Sequence, residues 1–233
     1  MGPGHPQLTA RHDGDGPSGP DPDETDPSAA RLEAADAMRQ LGHAIVGHGV
    51  DDDTLRTITS TAHQLLTRVK ASPPRQPATL DMTGGLFVEP PPQGGARGSH
   101  FPDCIVTGPA NPMGIAARTV RDGDDAVVLA TLGEAFEGAP GRAHGGIVAA
   151  LFDEAMGFVL SIACTPAFTG RLTVTYRAPI PLGVALEFRA RLTRRDGRKL
   201  HMAGEARHGD TVLAEAESLF VAVDPERFAA GRS

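Results

Sequence analysis

The chain lacks several features that would place it in a common functional class. Its 233 residues contain no tryptophan, one tyrosine and only two cysteines, Cys104 and Cys164. Two cysteines this far apart form neither a zinc-site spacing nor a disulfide framework, so we expect no metal. The formal net charge is −7, whereas a protein that neutralises nucleic-acid phosphates needs a basic surface. The sequence therefore predicts no metal, no other cofactor and no nucleic-acid partner.

Several catalytic and targeting motifs are absent as well. The sequence has no G-x-S-x-G elbow, no Walker A loop and no H-E-x-x-H. It does not begin with a basic segment followed by an apolar run, which would mark a secretory signal. No stretch of eighteen apolar residues is free of charge, so we expect no membrane span. The prediction is a soluble, cytoplasmic protein.

Composition divides the chain into four segments. Residues 1–27 are rich in Gly, Pro and Asp and nearly free of large apolar side chains, which predicts a disordered acidic tail. In residues 28–70 apolar side chains recur at helical spacing, which predicts an N-terminal helical hairpin that packs on the core. Residues 71–100 are a Pro/Gly-rich linker. Residues 101–224 have the pattern of one compact unit.

Within that compact unit, a long helix lies between predicted strands. A strand is predicted over 126–132 and an apolar helix over 146–163. Strict alternation of apolar residues predicts further strands over 172–176, 186–192 and 200–206, separated by turn signals such as Asp-Gly. One buried helix followed by an antiparallel meander is an α+β pattern. We therefore predict a sheet wrapped around the helix.

The predicted apolar helix carries two acidic residues, Asp153 and Glu154. A helix that is apolar on every face belongs in a core, where a carboxylate is costly unless it is paired or functional. The helix opens with His144, Gly145 and Gly146, and the small glycines leave backbone N–H groups bare at its N-terminus. Such an end attracts an anion or a polarised carbonyl oxygen. A carbonyl-directed site is therefore predicted on this helix.

The spacing within the helix limits how these groups can act together. Gly145 and Asp153 are eight residues apart, which corresponds to about 12 Å along one helix. One small carbonyl group cannot reach both. If both groups act on it, they come from two antiparallel helices, which predicts a dimer with composite sites. The alternative is a tight glycine turn with an unrelated acid on the same helix.

Four segments resemble one known family. HGGIVAALFDEAMG (residues 144–157) resembles the HGG-x-x-x-x-x-x-D signature of hotdog-fold thioesterases, in the branch with PaaI-type and THEM-type acyl-CoA thioesterases. Residues 111–114 (NPMG), 176–183 (YRAPIPLG) and 197–199 (GRK) match the same branch in the same order. The resemblance implies a hotdog fold, with an N-terminal helical extension outside it.

The resemblance also implies a reaction. The backbone N–H of Gly145 would polarise a thioester carbonyl, as an oxyanion donor does. Asp153 of the partner subunit would activate water or attack the carbonyl directly, and the sequence leaves both routes open. A carboxylate among Phe152, Met156 and Phe158 is expected to be desolvated, with a raised pKa suited to a general base.

Further site residues follow from the same resemblance. His144 would orient the loop or the thioester, and Thr169 stands where THEM-type enzymes place a hydroxyl beside the catalytic carboxylate. Gly146 would contact the substrate, while Arg198 and Lys199 would contact the CoA phosphates. The acyl tunnel would be lined by Leu151, Phe152, Met156 and Phe158. For His144 and Thr169 the alternatives are a loop histidine and a simple strand residue.

One departure from the PaaI-type pattern concerns the loop before the helix. Enzymes of that type often carry an asparagine there, but the only asparagine of this chain is Asn111. Thr169 or Glu137 would then position the water. The FEGAPGRAHGG loop is closer to the THEM-type pattern. Glu154 lies about 100° from Asp153 around the helix and is expected to be a packing or interface acid.

Two functions remain open at this stage. The first is hydrolysis of an acyl-CoA, or another acyl thioester, by a homodimer or homotetramer. The alternative is a non-catalytic hotdog protein that binds acyl-CoA or an acyl carrier and regulates or scaffolds another process. Asp153 separates the two, because a protein that only binds has no need of a carboxylate at that position. The residues do not reveal the acyl chain length.

Overall fold

The computed structural model describes residues 27–75, 87–94, 96–97 and 101–224. Two helices come first, followed by strands that surround a third helix. The elements are α1 (Ala29–Gly47), α2 (Asp52–Lys70), β1 (Ala96–Arg97), β2 (Arg118–Asp122), β3 (Asp125–Thr131), a 3₁₀ turn (Glu134–Phe136), α3 (Gly145–Ile162), β4 (Ala167–Tyr176), β5 (Ala185–Asp196), β6 (Lys199–His208) and β7 (Thr211–Ala222). Nearly all of the predicted acidic tail and much of the predicted linker lie outside the described residues.

The described strands form one antiparallel sheet of seven, in the order β1-β2-β3-β5-β6-β7-β4. Three of its tight turns contain a glycine with positive φ: Gly123, Gly197 and Gly209. That backbone region is nearly free of steric cost only for glycine. The strand that follows α3 in sequence, β4, crosses to the far edge of the sheet. The α+β prediction of a long helix wrapped by an antiparallel sheet is confirmed.

Helix α3 is held in the concave side of the sheet by its large side chains. Phe152 and Met156 are fully buried, and the Phe152 ring meets Phe188 of β5 edge to face, with centroids 5.1 Å apart. A Cβ at Gly204 would lie 2.8 Å from a backbone oxygen of β5 and 3.4 Å from Phe152, so the sheet needs glycine there. The helix is long and apolar enough to cross a membrane, but half of it is buried in this domain.

The opposite face of α3 is open in the single chain. Gly146 and Asp153 are exposed, and Ala149 and Gly157, which share that face, are only half-buried. A Cβ added at Gly157 would meet no atom within 4 Å outside the backbone of its own helix. The helix therefore has one face of bulky core residues and another of small residues interrupted by one carboxylate.

Strand β4 contains an irregularity that changes which residues face the helix. Thr169 pairs with Phe220 of β7, whereas the next pair is Arg171 with Leu219, so Gly170 is an extra residue on β4. Such a bulge resets the alternation of a strand. Thr169 and Leu172 therefore point to the same face, toward α3. Without the bulge, Thr169 would point away from the helix.

Helix α1 docks on the domain through polar contacts. Ser28 caps it by accepting a hydrogen bond from the Arg31 N–H at 3.3 Å. The Arg39 guanidinium donates to the carbonyl oxygens of Pro109 and Asn111 at 3.0 and 2.8 Å. The prediction that the N-terminal helices pack on the core is correct for this helix.

Helix α2 behaves differently from α1. Asp51 caps it, with the Thr54 N–H donating to Oδ1 at 2.9 Å. None of its residues is buried against the described part of the chain, and Leu65 and Val69 stay exposed. Within the described residues, the predicted packing on the sheet domain is therefore found for α1 and not for α2.

Candidate active site

The N-terminus of α3 leaves one backbone N–H unused. His144 is the N-cap, and its Nδ1 accepts a hydrogen bond from the Gly146 N–H at 3.0 Å. The Ile147 and Val148 N–H groups donate to the His144 carbonyl oxygen. Among the described residues, the Gly145 N–H has no hydrogen-bond partner. Of the two glycine donors predicted for substrate, only that of Gly145 is therefore free, since His144 already occupies that of Gly146.

Tyr176, for which the sequence pattern predicts only a place in a strand, closes one side of this turn. Tyr176, the only tyrosine of the chain, donates its hydroxyl to the Gly145 carbonyl oxygen at 2.7 Å. A Cβ on Gly145 would lie 3.0 Å from that hydroxyl oxygen. The turn and the tyrosine border a cleft of about 380 Å³ that also includes Val148 and Ile180. Strand alternation placed Tyr176 in β4, but nothing in the pattern indicated the contact.

Asp153 lies on the open face of α3, where its carboxylate meets the edge strand. The Thr169 hydroxyl donates to Asp153 Oδ1 at 2.8 Å, and both residues are exposed in the single chain. The prediction that apolar side chains surround and desolvate this carboxylate is wrong for the single chain. Phe152, Met156 and Phe158 are buried on the other faces of the helix, so they do not surround the acid.

The residues predicted to line an acyl tunnel lie in the packed core. Leu151, Phe152 and Met156 are fully buried, and Phe158 is nearly so. They pack under the sheet and are not exposed on the face that carries Asp153. A role for them in acyl binding stays a prediction.

Glu154 has a structural partner set of its own. The Thr107 hydroxyl donates to Oε1 at 2.7 Å, and the Cys104 thiol lies 3.5 Å from Oε2. These contacts fix the 101–117 loop to α3, as expected for a packing acid. Glu137, the other residue considered for positioning water, accepts a hydrogen bond from the Gly141 N–H at 2.6 Å and does not contact Asp153.

The two predicted phosphate-binding residues lie at the Asp153 end of the domain. Arg198 and Lys199 are exposed and follow the Gly197 turn. Lys199 pairs with Val221 of β7, which also pairs with Phe168 of β4. Two inter-strand spacings separate Lys199 from β4, a distance of about 10 Å. The Arg198 Nε also donates to the Ala222 carbonyl oxygen at 2.9 Å.

The site residues thus form two separate groups on one chain. One contains His144, Gly145 and Tyr176, and the other contains Asp153 and Thr169. Tyr176 and Thr169 are about 20 Å apart along β4 once the bulge is allowed for. No group of three metal-binding side chains occurs in the ranges that the structure describes.

Comparison with known proteins identifies relatives of the sheet domain. Residues 140–215 match the model of a family described as the thioesterase superfamily. Over 101 residues the chain is 36% identical to acyl-coenzyme A thioesterase THEM4 of Xenopus laevis, covering 42% of this chain and 46% of that protein. Over 102 residues it is 32% identical to acyl-coenzyme A thioesterase THEM5 of Mus musculus, covering 43% and 41%. The matches span less than half the length of these curated relatives.

One solved structure resembles more of the molecule than the sheet domain alone. It is a crystal structure described as a thioesterase superfamily protein, with a TM-score of 0.70 and 25% sequence identity. The match covers 84% of this chain and 92% of that one. The predicted hotdog fold and the predicted resemblance to the thioesterase superfamily are both confirmed.

Proposed function

We propose that this chain, whose sheet domain resembles the hotdog-fold thioesterases, hydrolyses an acyl-CoA thioester to the free acid and CoA. The observation that carries the proposal is the Asp153 carboxylate, held at 2.8 Å by the Thr169 hydroxyl on a helix face that is open in the single chain. A group that only packed the helix would be expected to have the buried contacts that Glu154 has.

Two copies of the chain complete the site in this proposal. Among the described strands, β4 lies at one edge of the sheet, and proteins usually cover or pair such an edge. If two copies pair antiparallel about the middle of β4, Thr169 of one copy lies near Tyr176 of the other. Their α3 helices then run antiparallel, and the small residues Ala149 and Gly157 permit a close approach. Each Asp153 thereby faces the free Gly145 N–H of the second copy.

The reaction follows from these positions. The thioester carbonyl oxygen accepts a hydrogen bond from the Gly145 N–H, which stabilises the negative charge that develops on that oxygen. Asp153 then acts in one of two ways. It takes a proton from a water molecule that attacks the carbonyl carbon, or it attacks that carbon itself and forms an anhydride, which water hydrolyses. On both routes the carbon–sulfur bond breaks and CoA leaves as a thiolate that acquires a proton.

Two basic residues are placed to bind the CoA phosphates in this proposal. Arg198 and Lys199 lie at the same end of the sheet as Asp153, where they would contact phosphate groups. Both are exposed, so the contact requires no rearrangement of the core.

Thiol release from a panel of short, long and aryl acyl-CoAs tests the proposal. Replacing Asp153 by Asn keeps the size of the side chain and removes its charge and basicity. We expect kcat to fall by about 100-fold or more, with the dimer intact. Glu154→Gln is the matched control, because it changes the adjacent carboxylate on the same helix. A wild-type protein that binds acyl-CoA but releases no thiol would instead be a binding protein.

A further inference from the structure

We infer that Tyr176 is a positioning residue that fixes the turn at residues 144–146 in the geometry needed for catalysis. This inference rests on the proposed thioesterase activity, and it adds a residue from β4 to the site. Within one chain, the tyrosine touches neither the Asp153 carboxylate nor Thr169. It acts through the peptide groups of the turn.

A chain of hydrogen bonds connects the tyrosine to the histidine. The Tyr176 hydroxyl donates to the Gly145 carbonyl oxygen at 2.7 Å. That carbonyl belongs to the same peptide group as the Gly146 N–H, which donates to His144 Nδ1 at 3.0 Å. Hydrogen bonds in series polarise and strengthen one another. Removing the phenol hydroxyl therefore weakens the contact between Gly146 and His144 as well.

The chain of bonds also determines the tautomer of the histidine. A backbone N–H can only donate, so the Nδ1 atom of His144 carries no proton in this arrangement. The proton of the neutral imidazole is then on Nε2, on a side chain that is exposed. The turn consequently carries two hydrogen-bond donors, the Gly145 N–H and the His144 Nε2–H.

The turn needs such an anchor because of its composition. Two consecutive glycines have more backbone freedom than any other pair of residues, and their peptide groups could otherwise rotate. Tyr176 is the last residue of β4, and its side chain spans the space between the strand and the start of α3. Its Cζ and hydroxyl oxygen would lie 3.2 and 3.0 Å from a Cβ on Gly145, so the ring also limits movement of the turn on that side.

Kinetics of Tyr176→Phe test the inference in the full chain. The ring stays and only the hydroxyl is lost. We expect kcat to fall by about 5- to 20-fold, with KM changed by less than about twofold, because the lost bond orients the turn and does not bind the substrate. Thr193→Val is the matched control. It removes a hydroxyl that donates to the His201 carbonyl oxygen at 2.9 Å on another strand, and it is expected to leave kcat unchanged.

A third variant separates hydrogen bonding from packing. If Tyr176→Phe has wild-type kcat while Tyr176→Leu is impaired, the ring alone matters and the inference is overturned. A rise in KM with kcat unchanged overturns it too, since the residue would then contribute to binding.

An NMR measurement tests the inference without any substrate. In Tyr176→Phe the Gly146 amide proton is expected to move upfield and to exchange with solvent about fivefold faster or more. An unchanged shift and exchange rate would overturn the inference. If the wild-type protein hydrolyses none of the thioesters, the proposed function fails, and the amide data still decide whether the tyrosine holds the turn.

Discussion

The backbone N–H of Gly145 can be removed without breaking any hydrogen bond described for the helix. Gly145 is the first residue of α3, a position where proline is favoured because its missing N–H has no helical partner. His144 has φ −67° and ψ 134°, which is the extended conformation that a residue before proline prefers. Gly145→Pro therefore removes the proposed oxyanion donor. Proline at this position is compatible with the backbone conformation at the start of α3.

The alanine variant at the same position is the matched control. Both Ala and Pro introduce a Cβ about 3.0 Å from the Tyr176 hydroxyl oxygen, so both disturb the tyrosine similarly. Only proline removes the donor. Loss of one oxyanion donor costs about 2.7–4 kcal/mol, or about 100- to 1,000-fold in kcat. The ratio of kcat between Gly145→Ala and Gly145→Pro should therefore be about 100 or more.

The assay is thiol release at saturating acyl-CoA, with thermal unfolding as the check on folding. Equal kcat for the two variants, within about threefold, would refute the proposed role of the Gly145 N–H. Mixed dimers then test the composite site. Gly145→Pro and Asp153→Asn chains refolded together in equal amounts should recover about one quarter of wild-type activity, because half of the dimers regain one intact site. No recovery would contradict the composite site.

The hydroxyl of Thr169 and the carboxyl of Asp103 give two further tests. Thr169→Val should lower kcat by about 10-fold or more, because the hydrogen bond from Thr169 to the Asp153 carboxylate is charge-assisted. Thr173→Val, on the outer face of β4, should leave kcat unchanged. Equal effects of the two variants would contradict the role proposed for the Thr169 hydroxyl. Burial raises the pKa of Asp103, but Arg75 and Arg31 lower it more, so it lies below its ordinary value of 3.8. Asp103 should thus stabilise the fold above pH 4 and lose that effect at lower pH. The difference in Tm between wild type and Asp103→Asn should be present at pH 7 and shrink as the pH falls below 3.8 and through the lowered pKa of Asp103. A difference that stays constant over this range would count against the ion pairs of Asp103 with Arg31 and Arg75.

The main elements of the fold could be predicted because their residue patterns were unambiguous. Helix α3 is a long apolar run that begins at two glycines, and strands β5 and β6 have a clear period of 2. The eight-residue separation of Gly145 and Asp153 also showed correctly that the two groups lie apart on one chain. These inferences depend only on local geometry, which the sequence determines.

The prediction for the surroundings of Asp153 failed because small and large apolar residues were counted alike. Gly146, Ala149 and Gly157 made the helix look apolar on every face, yet they leave the Asp153 face uncovered in the single chain. Phe152 is next to Asp153 in sequence but about 100° away around the helix. Side-chain volume, not polarity alone, decides which face of a helix packs.

The contacts of Tyr176 and Thr169 could not be derived from the sequence pattern. Alternation placed Tyr176 in a strand, but its bond to Gly145 depends on where β4 lies relative to α3. Thr169 entered the prediction only through the family resemblance. Its orientation toward the helix depends on the extra residue Gly170, which regular alternation does not reveal.

The bulge at Gly170 also limits how the length of this region can change during evolution. Thr169 and Tyr176 reach their partners at opposite ends of α3, and the residues between them set both orientations. Inserting or deleting one residue there would turn one of the two side chains to the outer face of the sheet. The connection between α3 and β4 is free of this constraint. In related chains, insertions and deletions are therefore expected before Ala167 or after Tyr176, and not between them.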